Sequence, residues 1–116
     1  MTDLLLDTDV LVDHLRGAQQ LRPRAGVIAY SVITRCELFA GRHADERVIA
    51  QLLAPLIELV VDRQVAERAG RLRREVELRT PDALIAATAM HHGLGLVTRN
   101  RRHFDRVPGL HVRVPG

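Results

Sequence analysis

Four acids in this 116-residue chain have the type and placing to do chemistry together: Asp7, Asp9, Glu37 and Asp82. Carboxylates gathered in one crevice repel each other, so some hold their protons to unusually high pH unless a cation is bound among them. Oxygen ligands without a histidine and cysteine set suit magnesium or manganese over zinc. Magnesium held by a few carboxylates keeps waters, and these can attack a phosphodiester once the metal has lowered their pKa and neutralised the phosphate. Metal-assisted phosphodiester hydrolysis is therefore the reaction class these residues point to. Each acid also has a structural role open to it. Asp7 or Thr8 can cap a helix, Thr34-Arg35-Cys36-Glu37 fits a capping box, and Asp82 offsets a helix dipole. What favours chemistry is the convergence of three on one face, with Asp9 two residues from Asp7.

The elements that must position them are legible in order. Leu4 to Leu6 is a short apolar run that reads as a fully buried strand ending at Asp7. After Asp9, Val10, Leu11, His14 and Leu15 keep helical spacing until Gly17. Val27 to Ser31 reads as a second strand, with Ser31 capping a helix that carries Ile33, Cys36, Glu37 and Phe39 to Gly41. Asp45 to Leu56 is amphipathic, with Val48, Ile49, Leu52 and Leu53 on one face, and Ile57 to Val61 is a third strand. Asp62 caps a helix from Arg63 whose Val65, Ala69, Leu72 and Val76 repeat at helical intervals. Thr80-Pro81-Asp82 opens the next helix, with a capping hydroxyl, a proline at the first helical position and an acid facing the dipole. That helix, Ala83 to His92, is small and aliphatic all round, as a helix packed on both sides must be, and Gly93 ends it. Gly95 to Thr98 is a fourth strand, Asn100 to His103 a polar turn, and Leu110 to Val114 a last strand at a sheet edge.

Strands alternating with helices predict a three-layer α/β/α sandwich with a mainly parallel central sheet, one domain spanning residues 1–116. In such a sheet every strand's C-terminal end and every following helix N-terminus lies on one side, so Asp7, Glu37 and Asp82 can share one crevice.

Composition narrows the choices further. All 17 basic residues are arginine and none is lysine, which excludes a P-loop phosphate site and the aspartyl-phosphate chemistries that need a lysine. Arginine's planar fork matches phosphate geometry, so a net charge of +3 carried this way permits a nucleic-acid partner. The single Cys36 cannot form an internal disulfide, no signal-like start is present, and no apolar run approaches the ~20 residues of a membrane span, so a cytoplasmic protein is expected.

Four segments carry a family resemblance, in order and over nearly the whole chain. They are Asp7-Thr8-Asp9, the stretch from Ser31 through Glu37 to Gly41, Pro81-Asp82-Ala83-Leu84-Ile85-Ala86-Ala87-Thr88-Ala89, and Val97-Thr98-Arg99-Asn100 through His103-Phe104. With them the chain resembles the PIN-domain ribonucleases of the VapC toxin type. The resemblance implies the PIN-like fold and a magnesium- or manganese-dependent RNA endonuclease with active-site acids at Asp7, Glu37 and Asp82. It further implies a homodimer and a VapB-type antitoxin partner from the same operon. Two departures stand out. Where the family often has a fourth acid, this chain has Asn100, which can ligate through its amide oxygen, and His103, which could ligate only through nitrogen. The connection from Glu77 to Thr80 is also short, trimming one wall of the site. The fourth ligand thus stays open between Asp9, Asn100 and His103, and a non-catalytic PIN-like binding module is the rival reading.

Around this set, the Thr98 hydroxyl is placed to orient a water or a carboxylate, or simply to cap. The candidates for RNA contact are Arg99, Arg101 and Arg102 at the crevice rim, and Arg71 with its neighbours Arg73 and Arg74. With only three aromatic residues, stacking on bases has little scope, and recognition through phosphates and RNA shape is expected. Asp13 is expected to be solvated on the outer face of its helix, Cys36 to be a small core residue, and His91 and His92 to be structural.

Overall fold

A computed structural model describes residues 3–17 and 26–115 of the chain. Among these, five strands form one sheet in the order β3-β2-β1-β4-β5, with every neighbouring pair parallel. The strands are β1 (Leu4–Leu6), β2 (Ile28–Ser31), β3 (Ile57–Leu59), β4 (Gly95–Val97) and β5 (Val112–Arg113). The helices are α1 (Thr8–Leu15), α2 (Val32–Phe39), α3 (Glu46–Leu53), α4 (Arg63–Glu75), α5 (Thr80–His91) and α6 (Arg101–Phe104).

Alternation along the central strand explains why there are three layers. Successive side chains of a strand point to opposite faces. Leu4 and Leu6 enter a core with Val10 and Leu11 of α1, Leu38 of α2 and Ile49 and Leu53 of α3. Leu5 enters a second core on the other face, with Val65, Ala69 and Leu72 of α4 and Ala83, Ile85, Ala86, Ala87 and Ala89 of α5. The neighbours in register follow suit: Ala29 and Leu96 flank Leu5, while Tyr30 and Val97 flank Leu6. Leu4 and Leu5 are 1% and 0% exposed, each worth about 1.5–3 kcal/mol of burial. Helix α5 is buried nearly all round, as its composition predicts, because it lies between the sheet and α4.

Capping follows the sequence at most helix starts. Asp7, Ser31, Asp45 and Asp62 each accept a bond from a first-turn N–H. Helix α5 departs from expectation: Arg79 holds the cap position without a side-chain bond, and Thr80 is already helical, so its hydroxyl caps nothing. Pro81 lies in the first turn, where its missing N–H costs no hydrogen bond. The polar turn expected at Asn100 to His103 is instead the start of the one-turn helix α6. Its three polar residues show no periodicity, and the anchor is Phe104, 1% exposed, which pulls the turn onto the α4–α5 core.

Two side chains lie opposite to expectation. Cys36 is exposed, because Thr34 and Leu38 take the buried face of α2. Asp13 is buried, 7% exposed, since it shares a helix face with Asp9 and meets Arg99 there. No helix of the described residues is long and apolar enough to cross a membrane.

Candidate metal centre

Strand order sets the place of the site. From β1 the chain moves toward β2, and from β4 it moves toward β5, so the connections leaving these adjacent strands diverge and leave a crevice between their C-terminal ends. Asp7 follows β1 and Thr98 follows β4. Both are pinned by the ladder: Asp7 N donates to Val97 O at 2.9 Å, and Thr98 N donates to Arg113 O at 2.9 Å.

The Thr98 hydroxyl joins the two acids of the first motif. It donates to Asp7 Oδ2 at 2.8 Å, lies 3.3 Å from Asp9 Oδ2, and accepts from Asn100 N at 3.0 Å. Thr98 is wholly buried, so the hydroxyl has no solvent to turn to. Asp7 Oδ1 accepts from Thr8 N at 2.8 Å, capping α1, so the capping role and the site role coexist. Burial pushes the Asp7 carboxyl up to about 6 from 3.8; the Thr98 bond opposes this, and the neighbouring charges of Asp9 and Asp82 add to it. Asp9 is pushed up as well, again chiefly by burial, against bonds from the Arg99 amide and Thr98.

Asp9 carries the most informative atom. Its Oδ2 accepts from Arg99 N at 3.0 Å, whereas its Oδ1 is buried without a well-formed hydrogen bond, the Val10 amide beside the carboxyl being its nearest protein influence. A buried carboxylate oxygen without a well-formed hydrogen bond is costly and rare, and a bound cation is the partner that would relieve it.

Glu37 reaches the crevice from α2 through hydroxyls. Thr8 Oγ1 donates to Glu37 Oε1 at 2.6 Å and lies 2.9 Å from Thr34 Oγ1, so Thr34 must be the donor in that pair. Thr34 and Glu37 are three apart on one helix face, which is the real meaning of the spacing that imitates a capping box. Asp82, in the first turn of α5, has His103 Nδ1 at 3.8 Å from its Oδ2. Asp7 senses the Asp82 charge. Among the described residues no three His, Cys, Asp or Glu side chains stand close enough to hold a metal ion at once. The bonded group is Asp7, Asp9 and Thr98, with Glu37 joined to it through Thr8, while Asp82 stands apart near His103.

The remaining candidates divide. Asn100 is exposed at the start of α6, bonded to the site through its backbone. Arg99 turns its guanidinium back onto Asp13 at 2.6 Å. Arg101 pairs with Asp105 at 3.2 Å, and Arg102 is exposed on the same turn. Arg71 lies elsewhere, lining a pocket of about 240 Å³ with Arg68, Leu72, Glu75 and Met90. Met90 is eight residues beyond Asp82 along α5, about 12 Å at 1.5 Å per residue, so Arg71 belongs to a different part of the surface from the acids. Thr34 and Asp13 are the participants that sequence reading underrates. Their signals are the i, i+3 spacing from Thr34 to Glu37 and the i, i+4 spacing from Asp9 to Asp13.

The donor chemistry fits a hard divalent cation: carboxylate oxygens, one of them buried and unbonded, at a desolvated crevice.

A family profile described as PIN domain matches residues 4–110. "Ribonuclease VapC10" of Mycobacterium tuberculosis is 36% identical over 127 aligned residues, covering 97% of this chain and 96% of that protein. "tRNA(fMet)-specific endonuclease VapC" of Salmonella typhimurium is 31% identical, with 97% of both chains covered. Among solved structures, a toxin-antitoxin complex from Klebsiella pneumoniae contains a chain 35% identical with a TM-score of 0.79, covering 98% of this chain and 97% of that one. VapBC2 from Rickettsia felis shares the fold at a TM-score of 0.85 and 22% identity, over 99% of this chain and 100% of that one. On the profile match and these full-length identities, the chain belongs to the PIN-domain family.

Proposed function

We propose that the protein is a metal-dependent endoribonuclease, the toxin of a toxin-antitoxin pair, in which Asp7, Asp9, Glu37 and Asp82 draw together around the metal from the more separated positions they hold without it. The observation that carries this reading is the buried, unbonded Asp9 Oδ1 beside a desolvated Asp7, both organised by Thr98 between two parallel strand ends. A bound magnesium or manganese ion would supply charge to neutralise the scissile phosphate and would lower the pKa of a water. The chain's own residues do the rest. Asp7 is fixed by Thr98 and by the α1 N-terminus, and Thr34 and Thr8 aim Glu37 into the crevice. Asn100 and His103 border Thr98 and Asp82 respectively, where an amide oxygen or an imidazole nitrogen can complete the ligand set. Arg101 and Arg102 line the rim as phosphate contacts. A VapB-type antitoxin belongs to the same reading, supported by the toxin-antitoxin and VapBC complexes among the similar structures, and a homodimeric state is proposed with it.

The test is cleavage of structured RNAs by the purified full-length protein, freed of any antitoxin, with Mg²⁺ or Mn²⁺, beside Asp7→Asn. The expected result is metal-dependent cleavage reduced at least 100-fold in the variant, on the order of the loss seen when a key catalytic interaction is removed. Equal, metal-independent cleavage by both proteins would mark a contaminant and leave a non-catalytic PIN-like module in its place.

A further inference from the structure

We propose that Asp13 is a positioning residue for Asp9, acting through Arg99. The proposal rests on the metal-site reading above and adds to it a residue outside the acid constellation.

Arg99 is attached to α1 at two points one helical turn apart. Its backbone N–H donates to Asp9 Oδ2 at 3.0 Å, and its guanidinium donates to Asp13 Oδ2 at 2.6 Å. Asp9 and Asp13 are four residues apart, so they stand one above the other on a single face of the helix. The two attachments have different consequences. The backbone bond occupies Asp9 Oδ2 and leaves Oδ1 as the oxygen without a well-formed hydrogen bond. The side-chain bond fixes the segment that supplies that amide, because residue 99 directly follows Thr98 at the end of β4.

An ordinary surface ion pair has little hold on backbone position. This one is unequal: the Asp13 side chain is 10% exposed and the Arg99 side chain 58%. A nearly buried carboxylate cannot exchange its partner for water without cost, so it keeps the guanidinium, and with it the turn from Thr98 to Asn100, against α1. Thr98 and Asn100 are bonded to each other within that turn, so the position of the hydroxyl between Asp7 and Asp9 depends on the same attachment. Partners that orient metal ligands in this way are typically worth about 10–100-fold in metal affinity.

The experiment uses the full-length, metal-free protein with Asp13→Asn, Arg99→Gln and the double variant. Its first readout is native-state hydrogen exchange of the backbone amide at position 99. That amide should exchange about tenfold faster or more in each single variant, while the amide of Thr98, bonded to Arg113 O, keeps its protection. The second readout is Mn²⁺ affinity by calorimetry. Each single variant should bind about tenfold more weakly, and the double variant no more weakly than either single, because both substitutions break one linkage. An unchanged amide at position 99, a uniform acceleration of all amides, or additive losses in the double variant would each overturn the proposal. Should Asp13→Asn not fold, Arg99→Gln, altering a largely exposed side chain, decides alone on both readouts. Wild-type protein that takes up no Mn²⁺ would sink the metal-site reading together with this proposal. Wild-type uptake with unaltered variants would sink this proposal only.

Discussion

Asp7 illustrates how a candidate metal ligand opposes folding. Its carboxyl titrates near 6 in the folded chain against 3.8 ordinarily, so the folded state binds a proton that the unfolded state has released across that interval. Stability is thus greatest below 3.8, falls as pH rises toward 6, and stays reduced above, by about 3 kcal/mol from this group. Asp7→Asn removes the charge and should stabilise the metal-free protein at pH 7.5 by about 1–3 kcal/mol, with the gain shrinking as pH approaches 3.8. Denaturant unfolding at pH 7.5 and 4.5 measures it, and a variant less stable than wild type at pH 7.5 would refute the assignment. Thr98 permits a second check at this scale. Thr98→Val keeps the shape but leaves Asp7 Oδ2 without its donor, and should lower cleavage about 10–100-fold, whereas Thr98→Ser should retain most of it. Equal loss in both variants would show that packing, not the hydroxyl, matters at Thr98.

At the scale of elements, the end of α5 carries a separate prediction. Leu94 N bonds Ala89 O at 2.8 Å and Gly93 N bonds Met90 O at 3.3 Å, a Schellman closure that needs Gly93 at φ 67. Gly93→Ala should cost about 1–2 kcal/mol, read from the denaturant midpoint with the slope unchanged, and no loss would mean the turn can relax. Elements of this kind were the most legible part of the chain. Leu4 to Leu6, the cap at Ser31 and the enclosed α5 follow from apolar runs and local chemistry. What local pattern could not show depends on tertiary partners. Asp13 is buried because Arg99 arrives from 86 residues away, and Cys36 is exposed because Thr34 and Leu38 take the inner face of its helix. The one-turn α6 forms because Phe104 has a core to enter. Asp7, Asp9, Glu37 and Asp82 could be named from type and spacing, and so could the Thr98 hydroxyl that joins the first two, but the Thr34 and Thr8 hydroxyls that lead to Glu37 could not.

For the molecule as a whole, the length of α5 separates two basic regions on one face of the sheet. Arg102 lies on α6, next to the strand ends that carry the acids, while Arg71 and Arg68 share a pocket with Met90. Arg102→Ser should weaken RNA binding and lower its salt slope by about one, while Arg71→Ser should leave the slope of cleavage-competent binding unchanged. Binding isotherms at several salt concentrations decide it, and a slope that responds only to Arg71 would move the RNA footprint onto α4.

The bond from Thr98 to Asp7 spans 91 residues, and β1 obtains one of its two flanking strands only when β4 docks. During synthesis the first motif therefore leaves the ribosome long before the hydroxyl that organises it exists. A nascent chain ending before position 98 holds the acids without their arrangement, so the crevice can be assembled only after β4 and Thr98 have been made.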